Sequence, residues 1–144
     1  MQLLIAANGT DASLTELLRT FKFRNEVKVL GDLPVDELAE LMAAAYAFVY
    51  PVFIESFSAL PLEAMQCKVP VICSQTGTLA ELCGEAAIHV NPADFNDIAD
   101  KMMLLFKDES RRNELIKAGK IRAGQFSWDN TTHHLWQVLS QTTK

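Results

Sequence analysis

Short uninterrupted apolar runs alternate along this chain with segments of helical spacing. Leu3-Leu4-Ile5-Ala6-Ala7 stops at Asn8-Gly9, and apolar residues then recur at 14, 17, 18 and 21. Val27-Lys28-Val29-Leu30 closes on Gly31-Asp32 and is followed by Pro34 and a helical run from Val35 to Ala45. Ala47 to Tyr50, Val69 to Cys73 and Ala87 to Val90 repeat the strand pattern. The segments expected to be helical between and after them are Leu62 to Cys67, one opened by the capping-box spacing Thr78-Leu79-Ala80-Glu81, and Phe95 to Phe106, Glu109 to Ala123 and Trp128 to Ser140. Strands that are apolar on successive residues are buried on both faces, and alternation with helices makes them parallel. The expected fold is therefore α/β: a doubly wound, Rossmann-like parallel sheet in a three-layer α/β/α arrangement.

A chain of 144 residues suffices for one such domain. Apolar residues at 49% and charged residues at 22% fit a globular chain rather than a disordered one. The apolar stretch from 43 to 54 is too short to span a bilayer and contains Pro51. The start, Gln2-Leu3-Leu4-Ile5, lacks the basic lead and long apolar core of a signal peptide. Cys67, Cys73 and Cys83 form no CxxC pair and are expected as the reduced, mostly buried thiols of a cytoplasmic protein. Neither they nor His89, His133 and His134 have metal-ligand spacing.

Residues 1–110 carry 7 Lys/Arg against 16 Asp/Glu, whereas residues 111–144 carry 6 against 2. The basic end (Arg111, Arg112, Lys117, Lys120, Arg122) reads as a solvated helix face. Overall acidity without basic-aromatic interleaving argues against a nucleic-acid partner. Trp128 and Trp136, eight apart on one helix, read as packing residues, and Met102 and Met103 as core filler.

In parallel α/β sheets, ligands bind beyond the carboxyl ends of the strands. At such an end lies "VYPVFIESFSALPLEAM", residues 49–65, with Glu55 in the loop and Glu63 in the first turn of the next helix. Amides at a helix start favour a phosphate. A carboxylate beside them suits the vicinal hydroxyls of a ribose, and a second one suits another polyol across the phosphates. Two plainer readings stay open on spacing alone: Glu63 as a dipole-favoured surface residue and Glu55 as a solvated loop residue.

The stretch "ESFSALPLEAMQCKVPVICSQTGTLAEL" resembles the signature of the retaining group 1 glycosyltransferases of GT-B fold: a Glu, seven residues, a Glu, a helix, a Pro-Val-Ile strand and a glycine-containing loop. "VLGDLPVDELAELMAAA", "AIHVNPADFNDIADKMMLLF" and "FSWDNTTHHLWQVL" are similar to the rest of that family's carboxyl-terminal, donor-binding domain. The resemblance implies that Glu63 holds the nucleotide ribose and that Glu55, the catalytic candidate, contacts the transferred sugar. It sets the amides of Ser56, Phe57, Ser58 and Ala59 against the sugar and diphosphate. Gly31, Asp32 and Leu33 would lie beside the base, and Asn8 and Gly9 near the phosphates. No cofactor or metal is expected.

Ser56 and Ser58 stand where the family commonly has glycine, which narrows the approach of a ligand to the backbone. Ala59-Leu60 and Ala6-Ala7-Asn8-Gly9-Thr10 also depart from its pattern.

The resemblance covers residues 1–144 as a donor-binding domain that lacks the family domain's first strand and helix. The amino-terminal acceptor domain would be absent. The implied function is hexosyl transfer from a nucleoside diphosphate sugar to an acceptor hydroxyl in polysaccharide or glycolipid synthesis. The acceptor glycan or lipid would bind through the missing domain, which could also place the parent enzyme peripherally at the cytoplasmic membrane face. The isolated chain is expected to be inactive. The alternative is a non-catalytic nucleotide-sugar-binding module or partner subunit. A phosphoacceptor domain would need an aspartate after the central strand, which Ala47 to Val52 lacks, and an NAD-binding fold would need GxGxxG.

Overall fold

The computed structural model describes residues 2–6 and 12–142. It divides into two compact units, residues 1–40 and 41–144. In the first, β1 (Leu3–Ala6) and β2 (Val27–Leu30) pair in parallel, with Leu3 opposite Val27 and Ala6 opposite Leu30. The crossover between them carries α1 (Ala12–Thr20) and a single 3₁₀ turn at Arg24–Glu26. Helix α2 (Val35–Ala44) follows β2, and the division between the units falls within it.

The second unit holds a three-stranded parallel sheet of order β3-β4-β5, formed by Phe48–Tyr50, Val71–Ser74 and Ala87–Val90. Its helices are α3 (Leu60–Gln66), α4 (Gly77–Cys83), α5 (Phe95–Lys107), α6 (Glu109–Ala123) and α7 (Trp128–Thr142). The pleat sorts side chains to two faces. Val71, Cys73 and Ala87 join Leu62, Met65, Leu79 and Leu82 of α3 and α4 in one core cluster. Ile72, Ile88 and Val90 join Leu105 of α5 and Leu115 of α6 in another. All four residues of β4 are buried. This is the helix-sheet-helix layering that near-continuous apolar strands require.

Sequence rules hold at some helix ends and fail at others. Asp94 caps α5 by accepting from the amides of Asn96 and Asp97, and Asp108 caps α6 by accepting from Arg111. The expected capping box at Thr78 does not form. α4 already starts at Gly77, so Thr78 lies inside the helix, and its hydroxyl donates to the carbonyl of Glu55 instead.

The two tryptophans of α7 do not pack as expected: Trp128 is 85% and Trp136 69% exposed, and α7 buries no residue. Met102 does pack against the second cluster, whereas Met103 is exposed. In the basic segment, Arg112 stacks its guanidinium over the Tyr46 ring, 4.4 Å from the centroid. Arg122 donates from Nε to the carbonyl of Leu82 at 2.9 Å and from Nη2 to that of Glu81, closing the end of α4. These two arginines therefore do structural work rather than merely lining a solvated face. Among the described residues, no helix is long and apolar enough to cross a membrane.

Candidate functional site

The loop from β3 to α3 leaves the carboxyl end of its strand, where the sheet places ligand sites. Three hydroxyl groups shape it. Ser74, fully buried at the end of β4, donates to the carbonyl of Val52 at 2.6 Å. Thr78 on α4 donates to the carbonyl of Glu55 at 3.3 Å. Tyr50, the last residue of β3, donates its phenol proton to Glu55 Oε2 at 2.8 Å. Gly77 passes close beneath the loop with φ +53°, and a side chain there would start 3.5 Å from the Glu55 carbonyl oxygen. Glu55 is thus a half-buried carboxylate on a pinned backbone, unlike the freely solvated residue that spacing alone allowed.

Burial pushes the Tyr50 phenol above its ordinary range. The hydrogen bond and negative charge of Glu55 push it further, against an opposing hydrogen bond from Ser58.

The hydroxyl of Ser58 lies inward: the residue is buried and its Oγ accepts from the Leu60 amide at 3.4 Å. A serine at this position therefore turns its side chain away from solvent instead of into the path of a ligand. Ser56, Phe57 and Ala59 are exposed. Among the described residues, no hydrogen bond engages the backbone amides of Ser56, Phe57, Ser58 or Ala59. Backbone amides without an internal partner can together cradle an anion.

The start of α3 itself offers less than its position suggested. Leu60 directs its amide to Ser58, Pro61 has none, and Glu63 bonds to the Ala59 carbonyl. The anion-binding capacity therefore sits in the loop more than in the helix. Glu63 occupies the first turn of α3, exposed, and its carboxylate has no partner among the described residues.

Gly31, Asp32 and Leu33 directly follow β2 in the first unit, with Gly31 and Asp32 exposed and Leu33 half-buried. Asn8 and Gly9 lie outside the described residues. Sequence spacing missed Tyr50, Ser74 and Thr78, because nothing in a one-dimensional pattern distinguishes a strand-terminal tyrosine that bonds a loop from one that packs in a core.

Among the described residues, no group of three or more His, Cys, Asp or Glu is arranged to hold a metal ion. All three cysteines are free, with Cys73 and Cys83 buried and Cys67 half-buried. His89 approaches the carbonyl of Gly84 with Nε2 at 2.7 Å, so Nε2 carries the proton and Nδ1 is left to face the Cys73 thiol at 3.8 Å. His89 is therefore committed to closing the turn after α4.

Residues 1–122 match the model of the family described as "Glycosyl transferases group 1". O-antigen chain mannosyltransferase B of Escherichia coli is 41% identical over 106 residues, which is 74% of this chain and 28% of that protein. An uncharacterized glycosyltransferase of Methanocaldococcus jannaschii is 31% identical over 139 residues, 91% of this chain and 39% of that protein. The chain thus spans well under half the length of these relatives. Among solved structures, sucrose-phosphate synthase from Thermosynechococcus elongatus superposes with a TM-score of 0.84 at 26% identity, over 98% of this chain and 38% of that one.

Proposed function

Because the chain belongs to the group 1 glycosyltransferase family, we propose that residues 1–144 are the donor-binding domain of a retaining enzyme that takes a nucleoside diphosphate sugar. The arrangement that supports this most is the β3–α3 loop. A fixed carboxylate at Glu55 precedes four unpaired amides, and an unengaged carboxylate at Glu63 follows them. In this reading Glu63 accepts from the ribose hydroxyls and Glu55 from hydroxyls of the transferred sugar. The amides of Ser56 to Ala59 face the diphosphate, and Gly31 to Leu33 face the base. Asn8 and Gly9 complete the phosphate side.

The amides would stabilise charge building on the leaving diphosphate as the acceptor hydroxyl attacks the anomeric carbon from the same face. Electrostatic stabilisation by donors already in place is usually the largest contribution to such a step. Charge neutralisation by protein groups makes the reaction metal-independent in this proposal.

The names of the relatives favour a hexosyl, and specifically a mannosyl, donor. The acceptor glycan or lipid would bind to a part of the enzyme beyond these residues, which relatives more than twice as long supply. That part would also set any peripheral contact with the cytoplasmic membrane face, and this domain alone would not turn over.

The test is a titration of the chain with UDP, GDP, ADP and their sugar conjugates, followed by backbone amide NMR, with and without EDTA. Shifts centred on Ser56 to Glu63, lost in Glu63→Ala and indifferent to EDTA, are the expected result. Shifts elsewhere, or unchanged binding in Glu63→Ala, would overturn the reading.

A further inference from the structure

We infer that Tyr50 is a positioning residue for the sugar half of the site, acting by holding the Glu55 carboxylate in one orientation. The inference rests on the donor-site reading of the loop.

Three observations carry it. The phenol is the only partner of the Glu55 carboxylate among the described residues: it donates to Oε2 at 2.8 Å, and Oε1 is left to accept from a ligand. The phenol is itself held, because its ring stacks on Phe48 with centroids 5.8 Å apart and planes 17° from parallel, and both rings pack against the α3/α4 core cluster. The backbone around Glu55 is also held, by Ser74 at the Val52 carbonyl and Thr78 at the Glu55 carbonyl. Of the loop's carboxylate, only the side-chain torsions would otherwise be free, and Tyr50 removes that freedom before any ligand arrives.

An oriented group spends less conformational entropy on binding than a free one. With one lone pair of Oε2 taken by the phenol, the carboxylate plane is oriented and the wholly unoccupied Oε1 is presented to the hydroxyls of a hexose. Tyr50 thus acts on the sugar and not on the nucleotide, which the reading assigns to Glu63 and to the loop amides. This distinguishes it from a residue that merely stiffens the fold, since general loosening of the loop would weaken both halves of the ligand together.

The experiment is isothermal titration of the full chain with GDP-mannose against GDP and with UDP-glucose against UDP. It compares wild type, Glu55→Gln, Tyr50→Phe and the double variant. Tyr50→Phe keeps the ring and its stacking on Phe48, and a wild-type thermal midpoint checks that it does. The expected result is that Tyr50→Phe weakens the sugar conjugate by about 3- to 10-fold and leaves the bare nucleotide unchanged. In the Glu55→Gln background it should add nothing further.

Equal weakening of conjugate and nucleotide would overturn the positioning role, as would a full added effect on top of Glu55→Gln. In both cases the donor reading would stand. If Glu55→Gln treats conjugate and bare nucleotide alike, the assignment of Glu55 to the sugar fails, and the role of Tyr50 fails with it. A carboxyl-carbon NMR spectrum of the free chain supplies a ligand-independent readout: the Glu55 resonance should move in Tyr50→Phe while that of Glu63 stays in place.

Discussion

The Tyr50 hydroxyl meets three influences that hold its proton and one that opposes them. Its phenolate is disfavoured first by burial and then by the bond and charge of Glu55, with Ser58 opposing. The folded phenol therefore titrates above its ordinary value near 10, and the sign for stability follows from linkage. A raised folded value means that the folded state holds the proton more tightly than the unfolded state. The contribution is fully present below pH of about 10 and is lost as pH rises through the raised value. Only two tyrosines are present, so tyrosinate absorbance can follow both. Glu55→Gln should bring the Tyr50 titration down and leave that of Tyr46 in place, since the Tyr46 partners are Glu109 and Arg112. If both tyrosines moved together, the local bond would not be the cause. At this scale the sequence was half legible. Glu55 and Glu63 were singled out by the family resemblance of the segment around them, their spacing alone leaving plainer readings open, whereas Tyr50 gains its proposed role only from the register that ends β3 beside that loop.

Among the elements, α3 and its crossing with α6 set the tightest conditions. Gly119 on α6 faces Met65, and a methyl group there would sit 2.9 Å from Met65 Cγ and 3.3 Å from its Cβ. Met65 is fully buried, and those atoms are the near end of its side chain, so it cannot simply swing aside. Gly119→Ala gains helix propensity of about 1 kcal/mol but overpacks a core at a cost of about 1–3 kcal/mol. Net destabilisation of about 1 kcal/mol in urea unfolding is the expected result, and a gain in stability would show that the crossing has slack.

The other end of α3 gives the opposite sign. Lys68 follows it with φ 62°, and the Val69 amide turns back to the Ala64 carbonyl at 2.9 Å. A left-handed lysine costs about 1–2 kcal/mol, while glycine adds about 0.5–1 kcal/mol of unfolded-state entropy. Lys68→Gly should therefore stabilise by roughly 0.5 kcal/mol, read from the same unfolding curves. The strands were legible because runs such as Val71-Ile72-Cys73 are apolar on consecutive residues. The start of α4 was not, because Thr78-x-x-Glu81 matches a capping box in spacing while tertiary structure turns the threonine hydroxyl to Glu55.

For the molecule as a whole, burial is distributed very unevenly, and that makes its energetics testable. The two core clusters of the second unit lie on opposite faces of β4, with α3 and α4 on one side and α5 on the other. By contrast α7 buries nothing, although Leu135, Trp136, Val138 and Leu139 lie on it and are all more than half exposed. Periodicity made that helix easy to foresee but could not show whether its apolar residues had anything to pack against, and so the tryptophans were misread as core.

Local stability follows burial, since opening a segment with few buried contacts exposes little new apolar surface. Amide hydrogen exchange should therefore be slowest along Val71 to Ser74 and fastest, among the helices of the second unit, along α7. Deleting residues 128–144 should lower the unfolding free energy by less than about 0.5 kcal/mol, the range of a change that removes no buried side chain. The same deletion takes away five exposed large apolar residues, Trp128 among them. It should reduce self-association measured by light scattering, because contiguous apolar surface drives association. A large loss of stability on deletion would mean that α7 contributes to the core, against the exposure of every one of its residues.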